Sequence, residues 1–471
     1  MNILLINPPI SGKVKYIREG RCEQRLSSFQ YMMPPISLPS IAAVLEKEKF
    51  GVKILECIGE DLNFSDVKNE IRNLNLSFIV INVSTATYYN DLEIVRLIKE
   101  TINCHITAIG VHVSALPDVT LQESLLDSVI VGEPEMTCLD LAKAIEGKQN
   151  LREIRSISFK HENKIICNPA RDFIEDLDSL PFPDRSLIDN NKYTLPNIDR
   201  PYTLLISSRG CPYECIFCTA RQYYGKKIRL RSAKNIVDEA EEIMAKFGLK
   251  DIVMWSDTFT LVRDHVLEIC DEIHRRGVKF NWMCNSRVDK VDEIMLEKMK
   301  AAGCIGISYG IESGVQHILD NAKKGINLRQ IDSAFKWTKR AGIETLGHVI
   351  FGLPGETKAT IRNTLDFVKK IKPDFAQFYC AIPFPGTEFY SLCKEKGWLV
   401  TKDWSRFEIN QAIIQTSRLS VNDLSRARRQ AFLSFYIRPS YIIKRAIPVF
   451  FSNNRRKTML QVLNFFKEWA Y

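Results

Sequence analysis

The sequence lacks any apolar run approaching the ~18 residues a membrane-spanning helix needs. Its densest runs, Ile79–Val83 and Ala446–Phe451, are far shorter. An export signal is missing too: the apolar start, Met1 to Pro9, has no basic flank, ends in Pro8–Pro9 and reads as a buried first strand. Internal repeats and low-complexity tracts are absent, so a repeat array is excluded. What is present is ordinary globular composition over 471 residues, 45% hydrophobic and 26% charged, enough for two or three domains. Without export, the thirteen cysteines imply a reduced cytoplasm instead of a disulfide framework. A tight cysteine cluster in that setting means metal or redox chemistry.

The net charge of +9 is confined to one region. From Thr401 to Tyr471 there are 13 basic against 4 acidic side chains, and the first 400 residues balance to zero.

Up to about residue 150, short Ile- and Val-rich runs (Ile3–Asn7, Val52–Cys57, Phe78–Val83, Ile106–Gly110, Ser128–Val131) alternate with segments of helical period. This pattern predicts a doubly wound, Rossmann-like parallel sheet whose ligands sit at the carboxyl ends of the strands. A Pro-rich connector, including Leu180-Pro181-Phe182-Pro183, places a linker at 151–200 with a small hairpin near Ile157–Ile166. From 201 to 397 six further strand–helix units follow, which suit a partial (β/α)6 barrel with its functional loops on one rim. Residues 398–471 read as a mainly helical tail. The fold class is therefore α/β.

Cys211-Pro-Tyr-Glu-Cys215-Ile-Phe-Cys218 falls in the loop after the first barrel strand. Three thiolates within eight residues suit a soft metal centre. Spacing alone leaves two readings open. One is an iron–sulfur cluster with an open coordination position; the other is a zinc site completed by a remote Cys or His.

This segment resembles the cluster signature of the radical SAM superfamily, including the aromatic Phe217 before the last cysteine. Three more segments are similar to that family's, each after a successive predicted strand. They are Trp255-Ser256-Asp257-Thr258-Phe259, Gly310-Ile311-Glu312-Ser313-Gly314, and Ile350-Phe351-Gly352-Leu353-Pro354-Gly355-Glu356-Thr357. The resemblance implies that Cys211, Cys215 and Cys218 hold a [4Fe-4S] cluster whose fourth iron chelates S-adenosyl-L-methionine. It also implies that Asp257 faces the methionyl amino group, Glu312 the ribose and Ile350 the adenine. Arg287 offers a guanidinium fork for the cofactor carboxylate, or a salt bridge to Asp289 or Asp292. Such enzymes cleave the cofactor reductively to a 5′-deoxyadenosyl radical, with electrons from a low-potential donor such as flavodoxin or ferredoxin.

The preceding domain resembles the cobalamin-binding domains of one branch of the same superfamily. The residues that carry this are Pro8 after the first strand, Ser84 and Thr85 after the third, Gly110 and His112 after the fourth, and Gly132 and Glu133 after the fifth. The Asp-x-His-x-x-Gly loop of cobalamin mutases is missing, so cobalt bound here has no histidine of that loop beneath it. His112 is better placed for the cofactor's periphery.

The tail carries twelve aromatics, among them Phe432, Phe435, Tyr436, Tyr441, Phe450, Phe451, Phe465, Phe466 and Trp469. Basic and aromatic residues on helical spacing suit packing onto the barrel with Arg and Lys outside. They also suit peripheral contact with an anionic membrane, at its inner face, or with a lipid-like substrate. Nucleic acid is the weakest of the three partners.

The resulting expectation is a cytoplasmic, cobalamin-dependent radical SAM enzyme, a methyltransferase acting on an unactivated carbon of a small-molecule or lipid-like substrate. It resembles the group of anaerobic magnesium-protoporphyrin ester cyclases and hopanoid-associated enzymes, so cyclisation, oxidation or carbon–carbon coupling is the alternative. A methylthiotransferase of tRNA or protein needs a second cysteine set before the barrel, where Cys22, Cys57, Cys104 and Cys138 are scattered.

Overall fold

The computed structural model describes residues 1–443 apart from 13, 20–23, 26–31, 163 and 196–199. The first sheet contains β1 (Asn2–Asn7), β2 (Gly51–Glu56), β3 (Phe78–Asn82), β4 (His105–Ile109) and β5 (Ser128–Ile130), with β6 (Ile157–His161) and β7 (Lys164–Cys167) at one edge. Its order is β2-β1-β3-β4-β5-β6-β7. The first five strands are parallel and the last two antiparallel. The order reverses between β1 and β3, which opens a crevice at the carboxyl ends of the strands.

Alternation along β1 and β3 sends side chains to two buried layers. Leu4, Ile6, Ile79 and Ile81 pack against Ile94, Val95 and Ile98 on one face. Ile3, Leu5, Phe78 and Val80 pack against Leu38, Ile41 and Leu141 on the other. Both faces are dry, which explains the nearly continuous apolar runs in the sequence.

The second sheet has six parallel strands in sequence order: β8 (Tyr202–Ile206), β9 (Asp251–Trp255), β10 (Asn281–Ser286), β11 (Cys304–Glu312), β12 (Glu344–Phe351) and β13 (Phe375–Cys380). The second apolar layer of the first sheet continues onto it through Tyr202, Leu204 and Val253. The two sheets therefore share a hydrophobic joint, and each of these buried side chains contributes about 1.5–3 kcal/mol to holding it.

The Ile157–Ile166 hairpin extends the first sheet beyond residue 150. The connector after it carries three single 3-10 turns, each started by an aspartate (Asp176, Asp184, Asp189) whose carboxylate accepts a backbone N–H two residues on. Arg185, fully buried in this connector, lies 2.5 Å from Glu239 of the barrel helix Ala233–Phe247.

Within the tail, the helix Val421–Tyr436 packs on β13. Phe432 and Phe435 enter the barrel core, and the Tyr436 hydroxyl donates to Ala376 O at 2.8 Å. For this segment the packing reading holds. Phe450, Phe451, Phe465, Phe466 and Trp469 lie outside the described residues. Among the described residues no helix is long and apolar enough to cross a membrane.

Candidate functional site

The cysteine loop leaves β8 through Gly210, which adopts φ +89°, and a Cβ there would lie 2.1 Å from Lys227 O. Only glycine fits such a turn without displacing backbone. The Gly210 N–H donates to Asp257 Oδ2 at 3.1 Å, so Asp257 steadies the entry to the loop. Beyond it, Cys211 N–H donates to Gly225 O (3.2 Å), Ile216 N–H to Ala322 O (3.2 Å) and Cys218 N–H to Cys215 O (3.1 Å). Cys211 is buried, and Cys215 and Cys218 are half-buried. Burial pushes the Cys215 thiol up, while nearby Lys324 and Arg287 pull it down.

Among the described residues, no three His, Cys, Asp or Glu side chains converge on a single ion. Three soft thiol donors on one loop suit an iron–sulfur cluster, each thiolate meeting its own iron and one iron left to an outside ligand.

Arg287, after β10, makes the salt bridge to Asp289 that its position offered. Its Nε lies 2.9 Å from Asp289 Oδ1, and its ring-facing carbon lies 3.4 Å from the centre of Tyr213 in the cysteine loop. Nη1 is buried without a hydrogen-bond partner, a donor that a ligand carboxylate suits. Glu312 ends β11 at a bulge with φ +59°. Its carboxylate is buried and lies 2.7 Å from Lys324 Nζ. Sequence reasoning missed Lys324, because a Lys-Lys-Gly run reads as a solvated turn. Ile350 and Phe217 are partly buried against the barrel core. Glu356 accepts the Gly352 and Leu353 N–H groups, and burial pushes its carboxyl up to about 8.

A cleft lies between the carboxyl ends of the two sheets. Ser84, Gly110 and Val111 line it from the first sheet; Arg209, Tyr223, Trp255 and Asp257 line it from the barrel side. Gly110 has φ +127°, and a Cβ there would meet Val83 O at 2.3 Å, so the wall is bare backbone. Arg18 and Arg209 also line the cleft, each with a buried Nε that has no partner among the described residues. A bare wall, orphaned donors and aromatic flanks fit a large flat cofactor with amide edges, such as cobalamin. When bound, the cluster and S-adenosylmethionine supply reductive C–S cleavage, and cobalamin supplies a transferable methyl group.

The other residues singled out in the first sheet sit around this cleft in different ways. Gly132, φ +82°, has its N–H on Ser114 Oγ at 3.1 Å and faces Tyr223. Pro8 O accepts from Arg18 at 3.3 Å, and Thr85 is buried in the turn that follows β3. Neither lines the cleft. Glu133 is taken up by the domain joint, its carboxylate accepting from Arg209 (3.3 Å) and Arg229 (2.8 Å). His112 points away from the cleft. It is buried between Tyr88 (4.5 Å between ring centres) and Trp404 (5.1 Å), with neither ring nitrogen hydrogen-bonded. Burial alone drives its pKa down to about 3, so the ring is neutral.

Architecture and site define a class: a doubly wound cobalamin-type domain set over a cluster-bearing half-closed barrel. The radical SAM superfamily matches residues 205–368 and the B12 binding domain family residues 25–142. An uncharacterized methyltransferase of Pyrococcus horikoshii is 30% identical over 446 residues, 94% of each chain. The anaerobic magnesium-protoporphyrin IX monomethyl ester cyclase of Rubrivivax gelatinosus is 24% identical, covering 92% of this chain and 78% of the relative. The cobalamin-dependent S-adenosylmethionine radical enzyme OxsB, solved with aqua-cobalamin and S-adenosylmethionine, superposes with a TM-score of 0.76 at 17% identity, covering all of this chain and 71% of that one. The chain belongs to the radical SAM superfamily, in the branch with an N-terminal B12-binding domain.

Proposed function

We propose that this chain methylates an unactivated carbon of a small-molecule or lipid-like substrate, using both cofactors within this inter-sheet cleft. The observation that carries this reading is the shared lining. Ser84 and Gly110 from the cobalamin side face Trp255 and Asp257 from the cluster side across a single space. A methyl donor on one wall and a hydrogen-abstracting centre on the other need such proximity.

In this reading Cys211, Cys215 and Cys218 ligate the cluster. Arg287 orients the carboxylate of S-adenosylmethionine, Glu312 accepts from its ribose, and Asp257 and Ile350 border its amino group and adenine. Gly110, Ser84 and Gly132 bound the cobalamin cradle. Tyr223 and Tyr224, in edge contact at 4.8 Å, wall the cleft against water. The cyclase among the relatives keeps ring closure as the second reading, since the same walls serve either outcome.

The test is anaerobic reconstitution with iron, sulfide and cobalamin, with flavodoxin as reductant and S-adenosylmethionine added. Equal yields of S-adenosylhomocysteine and 5′-deoxyadenosine support methyl transfer. Deoxyadenosine alone with a substrate-dependent product supports cyclisation. Cys215→Ala should abolish cluster and cleavage together; cleavage at the wild-type rate would overturn the site.

A further inference from the structure

The barrel mouth holds a buried charge pair outside the cysteine signature. Lys324 and Glu312 are 7% and 5% exposed, and Nζ lies 2.7 Å from Oε1. The pair is tied to the cysteine loop by backbone, because Ile216 N–H donates to Ala322 O at 3.2 Å, two residues before Lys324. Space for the pair comes from Gly310, where a Cβ would lie 2.3 Å from Glu312 Oε1 and 2.6 Å from Lys324 Nζ. Glu312 is held at φ +59°, a left-handed conformation that disfavours a long side chain and persists only when its surroundings enforce it. No other acid among the described residues hydrogen-bonds Lys324, and the lysine has no surface role at this depth.

We propose that Lys324 is a positioning residue that neutralises Glu312 beside the cluster, so that a buried carboxylate is available there without making the cluster harder to reduce. The inference rests on the three cysteines holding the cluster. An ionised Glu312 is the better acceptor for ligand hydroxyls. Left alone, its charge would oppose the electron that must be added nearby, because buried charges interact strongly in a low-dielectric surround. A lysine in contact cancels that field while leaving the second carboxylate oxygen for the ligand. The Ile216–Ala322 backbone bond places the pair against the cysteine loop, where Arg287, its Nη2 3.5 Å from Gly325 O, is a further cation.

The experiment is potentiometric titration of the reconstituted full-length protein, followed by EPR of the reduced cluster, with iron and sulfide content measured on every sample. Lys324→Gln should shift the midpoint potential negative and Glu312→Gln should shift it positive. The double variant should return towards wild type, and Lys324→Arg should match it. The opposite signs are the decisive feature, since a purely structural role gives loss of cluster or shifts of one sign. Where one single variant loses its cluster, the other is read against the charge-conserving Lys324→Arg: a shift of the stated sign beside an unmoved Lys324→Arg upholds the proposal, and an unmoved potential, a shift of the other sign or same-sign shifts overturn it. Failure of the wild-type protein to assemble any cluster would instead defeat the reading on which it rests.

Discussion

Arg209 and Glu135 meet across the joint between the two sheets, with Nη2 2.5 Å from Oε1 and both side chains buried. Glu133 joins them, shared between Arg209 and Arg229. The two acids come from the segment after β5, and the two arginines form a short antiparallel pair, Ser208–Arg209 with Arg229–Leu230, that frames the cysteine loop. The network thus couples the wall of the cobalamin cleft to the cluster loop. A buried pair of this kind costs desolvation, so its value lies in fixing orientation, and breaking one side leaves the other charge stranded.

Glu133→Gln tests this joint. Two arginines would lose a buried counter-charge, with an expected loss of roughly 3 kcal/mol of stability. Calorimetry should show a lower first unfolding transition, and cobalamin retention on gel filtration should fall with it. An unchanged melting profile would mean that the apolar joint alone positions the sheets.

Most of the architecture was legible in the sequence because both sheets are covered on two faces. Runs such as Phe78–Ile81, fully buried, have no polar residue to blur them. Strand ends were less legible for a physical reason: β11 runs on to Glu312 through a bulge that no local pattern announces. The cysteine loop declared itself by spacing. Lys324 did not, since its meaning comes from a partner twelve residues away across a bulge. Glu133 and His112 looked like cleft residues because they sit at strand ends, yet Arg209 and Arg229 claim the first and Trp404 covers the second. Contacts of that kind are set by how the domains dock, which neighbouring residues do not reveal.

Gly110→Ala separates the two cofactors. The new methyl would lie 2.3 Å from Val83 O on backbone that L-residues rarely adopt. The wall must shift into the cleft, so cobalamin affinity should fall at least about tenfold, a loss of 1.4 kcal/mol or more. Iron and sulfide content should stay at the wild-type level because the cysteine loop lies on the other sheet. Absorbance titration with hydroxocobalamin reads the first quantity; full retention of cobalamin would remove Gly110 from the cradle.

Arg287→Lys asks whether the guanidinium shape matters. Lysine keeps the charge but loses the planar stack on Tyr213, at 3.4 Å, and the second fork nitrogen. S-adenosylmethionine should bind about tenfold more weakly, which corresponds to about 1.4 kcal/mol, with the cluster intact. Equilibrium dialysis with labelled cofactor measures this directly. An unaltered Kd would assign Arg287 to its Asp289 salt bridge alone.

His112 yields a prediction about acid stability. Its folded pKa is depressed to about 3 from an ordinary 6.5, because the ring is buried against Tyr88 and Trp404 with no hydrogen-bond acceptor for a second proton. The unfolded chain therefore binds a proton that the folded chain refuses. Stability from this residue is complete above pH 6.5 and is lost as the pH falls from there towards 3, by at most about 5 kcal/mol. His112→Phe keeps an aromatic ring in the same slot and removes the titration. The variant should stay folded to a lower pH than wild type in an acid titration followed by near-UV circular dichroism, while the two proteins differ little at pH 8. Coincident acid midpoints would show that the His112 proton does not set the acid limit of the fold.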